Sequence, residues 1–199
     1  MMGMRRVMIM AAMLAFCTVS YGQMMRDMIV SMPDSLMPSL TKVNREDCVD
    51  FREADMKACV TNRFGTVTEL LELTSDYASW QYTAATSYEM KLLPLSDSVR
   101  VMCVVHRVST PTRDASIHFY DNQWQPLATI DYLILPQRAD SASILSTTDM
   151  SLSPSLLQLT VTEIKERYVA GEGDASTKMS EVVSNYVWAG GKFVLQGRL

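Results

Sequence analysis

Apolar and polar positions alternate with two different periods along this chain, and the change from one to the other marks its architecture. Met24, Met25, Met28, Ile29 and Met32 recur at helical spacing, and Pro33-Asp34-Ser35 then breaks the run. A second helical pattern spans Asn44 to Met56, with Asn44 as N-cap, Asp47 at its third position, and Arg45, Glu46, Asp50, Arg52 and Glu53 forming a wet face. After Lys57 the period drops to two. Short runs rich in Val, Thr, Tyr and Trp predict strands at Ala58–Phe64, Val67–Thr74, Tyr77–Ala84, Tyr88–Leu95, Val99–Val108 and Ser116–Asp121, with turn residues between them. Val99–Val108 is apolar on both faces and so predicts the centre of the sheet.

Beyond Pro126 the pattern loosens. A Ser/Thr/Asp-rich tract from Asp140 to Ser153 has room for a short helix, and Leu157–Ile164 reads as a strand. Gly171-Glu172-Gly173 reads as a loop and Ala175–Val183 as a short helix. Asn185–Trp188 and Lys192–Gln196, joined by Ala189-Gly190-Gly191, predict a closing β-hairpin that completes the sheet. The expectation is an α+β fold: N-terminal helices packed on a mainly antiparallel meander sheet, ending in a β-hairpin.

The first 22 residues stand outside that pattern. Met1 to Arg6 is short and basic, Val7 to Val19 is almost wholly apolar, and Ser20 and Gly22 flank Tyr21 as small-x-small. This predicts a signal peptide over 1–22 with cleavage before Gln23, leaving 23–199 as a single α+β domain. The apolar run is shorter than the roughly 20 residues that span a bilayer, and no second run approaches that length, so no transmembrane segment follows the leader. A lipoprotein reading through Cys17 is less favoured, because bulky Phe16 precedes that cysteine where a small residue belongs. The chain is expected to be exported, to the periplasm or the cell surface.

Composition narrows the chemistry. With 18 basic against 22 acidic side chains the net charge is −4, so no cationic surface tracks a phosphate backbone and nucleic acid is excluded as a partner. In an oxidising compartment Cys48 and Cys59 form a candidate disulfide across a reversal near Asp55, against the simpler reading of two small buried residues. No Cys/His spacing suggests zinc, and neither a Gly-Xaa-Ser-Xaa-Gly elbow nor a phosphate-cradling loop is present. Cys103 and His106, three apart on one strand, face opposite sides of the sheet and cannot act as a dyad. The sharpest constellation is His106 with His118, which a hairpin symmetric about Thr112 would pair on one face. With no third ligand in view the pair is a weak metal candidate, and no cofactor is expected.

The stretches Met32-Pro33-Asp34-Ser35-Leu36, Lys91-Leu92-Leu93-Pro94-Leu95 and Asp97-Ser98-Val99-Arg100-Val101, with the hairpin from Trp188 to Phe193, resemble a family of exported domains of unknown function from Gram-negative anaerobes of gut and mouth. The resemblance covers nearly the whole mature chain. It implies export and this fold, and it brings no activity and no site. The functional expectation is therefore a non-catalytic exported envelope protein that binds a protein, peptide or glycan through an exposed sheet face bearing Trp80, Tyr82, Tyr88 and Trp124. The alternatives are a secreted hydrolase with a carboxylate-based active site, marked by carboxylates of raised pKa in a deep pocket, and a small inhibitor-like domain.

Overall fold

The computed structural model describes residues 23–109, 112–135, 145–170 and 175–198. Among the described residues two helices, α1 (Gln23–Ser31) and α2 (Lys42–Glu53), precede eleven strands. The first seven are β1 (Cys59–Thr61), β2 (Val67–Leu73), β3 (Tyr77–Gln81), β4 (Thr86–Pro94), β5 (Arg100–Val108), β6 (Asp114–Tyr120) and β7 (Pro126–Leu127), and they form one antiparallel meander in chain order. A 3-10 turn, Thr129–Asp131, follows. A second antiparallel sheet has the order β11-β10-β9-β8, from β8 (Leu145–Leu152), β9 (Gln158–Ala170), β10 (Ala175–Ala189) and β11 (Lys192–Arg198).

The layers follow from the pleat. On one face of the first sheet Leu70, Ala78, Trp80, Tyr82, Met90, Leu92, Met102 and Val104 pack under the helical residues Met25, Met28, Ile29, Cys48 and Val49. On the other face Tyr77, Leu93, Val101, Cys103, Val105, Ile117 and Phe119 meet Met150, Leu152, Leu159, Val161, Tyr186, Trp188 and Phe193 of the second sheet. Strand β5 supplies both cores, as its uninterrupted apolar run requires.

Several expectations change. Helix α2 begins at Lys42, because Thr41 caps it: the Thr41 hydroxyl accepts the Asn44 N–H at 3.0 Å, and the Asn44 carboxamide accepts the Thr41 N–H at 3.2 Å, which makes Asn44 the third helical residue rather than the cap. The helix ends at Glu53, where Asp55 turns left-handed with φ 55° and the Met56 N–H donates back to the Phe51 carbonyl. Arg45, read as part of the wet face, is 1% exposed. The tract from Asp140 contains strand β8 from Leu145 onward. Ala175–Val183 is strand, not helix, because β10 pairs without a break against β9 from Ala175↔Ala170 to Val187↔Gln158. Non-local pairing there overrides the local helical preference of Lys178, Met179 and Glu181. The closing hairpin belongs to the second sheet and leaves the meander's order untouched. The loop Gly171–Gly173 lies outside the described residues.

Candidate functional site

Both faces of the central sheet are covered, so the expected exposed aromatic face is absent among the described residues. Trp80 (0% exposed), Tyr82 (9%) and Trp124 (5%) are buried, and Tyr88 is half-buried. They are core aromatics because the helices and the segment after them lie on that face. The covering is not continuous. Where α1 gives way to Met32–Met37, a cavity of about 200 Å3 opens over β4, β5 and β6, lined by Met32, Leu36, Tyr88, His106, His118 and Trp124 among others.

Arg45 gathers the roof from the side of α2. The Arg45 guanidinium donates to the carbonyls of Ile29 (3.1 Å), Met32 and Leu40 (3.2 Å) and to the Asp34 carboxylate (2.9 Å). These are the carbonyls left without helical partners where α1 ends and the chain turns back, and a planar five-donor fork satisfies several at once. Asp34 also accepts from Arg63 at 2.8 Å, and the Arg45 hydrogen bond, ahead of the charges of both arginines, lowers its carboxyl below the usual range. Three aromatics tie the roof to the sheet. The Ser39 N–H donates to the Tyr82 hydroxyl (2.7 Å), the Trp124 indole to the Met28 carbonyl (3.0 Å), and the Tyr88 hydroxyl reaches the Leu36 carbonyl at 3.5 Å.

The walls come from the pleat. His106 opposes Ser116 and His118 opposes Val104, so the two imidazoles are diagonal neighbours on one face. The hairpin is centred one residue earlier than a symmetric turn about Thr112 requires, which corrects the expected direct pairing of His106 with His118 but keeps both on the cavity side. The His106 ring stacks on Tyr88 with centroids 4.5 Å apart, Tyr88 meets Tyr82 edge-on at 5.2 Å, and Tyr120 leans on Trp124 at 5.5 Å. Burial, and then the neighbouring His118, lowers the His106 pKa below 6.5. Burial pushes the Tyr88 hydroxyl up to about 12, so it stays a neutral donor. Trp124 adopts φ 60°, a left-handed conformation that costs a bulky side chain about 1–2 kcal/mol and that its buried, hydrogen-bonded indole holds in place.

The cavity has an apolar interior of Met32, Met37, Met90, Val104 and Trp124, all buried, and a polar rim of exposed Ser35 and His118 with half-buried His106. No carboxylate lines it among the described residues. Nor do three or more His, Cys, Asp or Glu side chains cluster anywhere in a way that would hold a metal, among those same residues. Cys103 lies on the opposite face, in the second core, where burial raises its thiol pKa well above the ordinary value. Cys48 and Cys59, the candidate disulfide, stand as neighbouring free thiols. Burial, and then the nearby Cys59, pushes Cys48 up to about 12.

Sequence reading missed the roof residues and Tyr120. Helical periodicity placed Arg45 on a solvated face, and only the carbonyls it satisfies reveal its role. A second, more open cavity of about 390 Å3 lies beside β11, between Ile134, Leu135, Tyr186 and Leu195.

A family model described as a protein of unknown function, DUF3256, matches residues 18–193. Among solved structures, a domain of an uncharacterised protein from Porphyromonas gingivalis W83 is similar with a TM-score of 0.66 at 24% identity, over 88% of this chain and 98% of that one. This likeness is one of fold. No curated protein matches the chain.

Proposed function

Since the chain belongs to the DUF3256 family, whose description assigns no function, we propose from the site alone that it is a non-catalytic binding protein of the cell envelope. It is exported with residues 1–22 as leader, and its cavity takes a ring-sized apolar group from a protein or peptide partner. The observation that carries this reading is an aromatic and methionine-lined cavity with only a few polar groups at its rim. Its volume suits one ring, since engineered apolar cavities of about 150 Å3 hold benzene. The buried aromatics offer no flat platform on which a sugar would stack, which favours an apolar side chain over a glycan. A carboxylate-based hydrolase needs a carboxylic acid of raised pKa in its pocket. Among the described residues the carboxyl with a resolved shift is Asp34, and it moves down.

The neutral probe 3-phenylpropanamide tests the reading. The chain holds two histidines, both at this cavity, so imidazole NMR signals report on the site. Saturable shifts of His106 and His118 that vanish in Val104→Trp, which fills the cavity, are expected. A folded chain whose histidine signals never move up to millimolar probe refutes the pocket as a binding site.

A further inference from the structure

The cavity is apolar inside and hydrogen-bond donating at its mouth, and that division constrains what fits it. Met32, Met37, Met90, Val104 and Trp124 offer a guest no charge and no strong acceptor. At the rim stand the His106 and His118 imidazoles and the Ser35 hydroxyl, with the Tyr88 and Tyr120 rings beside them. The nearest roof carboxylate, Asp34, already accepts from Arg45 and Arg63 and does not line the cavity. On its other side His106 borders a shallow depression with Asp114, which accepts the Thr148 N–H. Facing His106 from the packed elements, then, are Tyr88 on β4, Ser116, His118 and Tyr120 on β6, and Asp114 at the start of β6. A cationic guest would find no carboxylate in the cavity, whereas an anionic one meets the N–H groups of two imidazoles.

Resting on the pocket reading above, we propose that the cavity selects an apolar carboxylate, with the hydrocarbon ring inside and the carboxylate at the rim between His106 and His118. Two sources present this chemistry, a free aromatic acid and the C-terminal residue of a peptide. Because burial, and then the neighbouring His118, disfavour the charged His106 imidazole in the free cavity, binding the anion brings proton uptake at His106.

The test compares 3-phenylpropionate with 3-phenylpropanamide, which share the hydrocarbon body and differ at the head, an anionic carboxylate against a neutral carboxamide, by NMR titration of the full chain near pH 5.5 and near pH 8. The acid is expected to bind about tenfold tighter than the amide at the lower pH and about equally at the higher, with the His106 titration moved upward in the acid complex. In His106→Gln/His118→Gln, followed by calorimetry, the amide still binds and the preference is gone. Equal affinities at both pH values, or a preference that survives in the double variant, overturn the carboxylate assignment while leaving the pocket reading intact. Failure of both probes overturns the pocket reading itself. N-acetyl-glycyl-phenylalanine separates the sources: binding as tight as that of 3-phenylpropionate points to a peptide C-terminus, and no binding points to a free acid.

Discussion

Replacing Arg45 with Ala should be the most damaging single polar substitution in the chain. The side chain is 1% exposed and its donors serve three backbone carbonyls in buried hydrogen bonds, together with Asp34. Truncation leaves the Met32 and Leu40 carbonyls without this partner inside the protein, while Ile29 keeps a 3.4 Å bond from the Met32 N–H. Each orphaned buried acceptor costs about 1–3 kcal/mol. Loss of the buried stem adds a void, and the two orphaned carbonyls with the void cost about 3–5 kcal/mol in all. Asp34 contributes little to that sum, because it is half exposed and retains Arg63. For a chain of this size the loss corresponds to a fall in Tm of about 6–20 °C, read by calorimetry. Arg45→Lys should recover less than half of it, since an ammonium cannot span four acceptors in a plane. An Arg45→Ala chain within about 1 kcal/mol of the parent would show that the roof is held by packing and not by this guanidinium.

Other perturbations separate the remaining claims. Asp55 is left-handed at the end of α2, so Asp55→Gly should stabilise by about 1 kcal/mol and Asp55→Ala should not; a destabilised glycine variant in thermal melts would contradict the assigned helix end. The His106 pKa is lowered in the folded state, so as pH falls the unfolded chain binds the proton first. The group's contribution is therefore present above pH 6.5 and lost on descending towards the lowered value. Melts between about pH 8 and about pH 5 should show a decline that is smaller in His106→Gln, and an identical decline in the variant would count against a buried imidazole. Ending the chain after Ser184 removes Tyr186, Trp188 and Phe193 from the second core, at about 1.5–3 kcal/mol apiece, and should abolish cooperative melting; an unchanged transition would mean the second sheet does not stabilise the first.

The first six strands of the meander were legible because each pairs with the next, so local turn chemistry sets the topology, whereas the two-residue β7 was not foreseen. Gly65, with φ 76° in the turn Arg63-Phe64-Gly65-Thr66, and Ser96-Asp97-Ser98 mark reversals that sequence alone locates. The second sheet was only half legible. Its strands β9 and β10 are long because they pair with each other, and the residues of Ala175–Val183 taken singly favour a helix. Arg45 was illegible for a different reason. An arginine on a helix reads as solvated unless the acceptors that surround it are known, and here they come from a turn that α2's own pattern does not show.

The site shows which inferences survive an error in register. The sequence places His106 opposite His118, and the structure places His106 opposite Ser116. Moving a hairpin's centre by one residue shifts its pairing by two, and a shift of two returns every side chain to its original face. The buried Ile117 and Phe119 fix that parity, because any odd shift would expose them and bury Ser116 and His118 in the second core. The shared face of the two histidines, and the separation of Cys103 from His106, therefore follow from the alternation of the strands whatever the turn does. The cavity does not. It exists because the segment after α1 crosses above those strands, fastened by Arg45, while Trp124 holds α1 itself through the carbonyl of Met28, 96 residues earlier in the chain. Period-two reasoning can place groups on a face, but only long-range hydrogen bonds decide whether that face is sealed or left open to a guest.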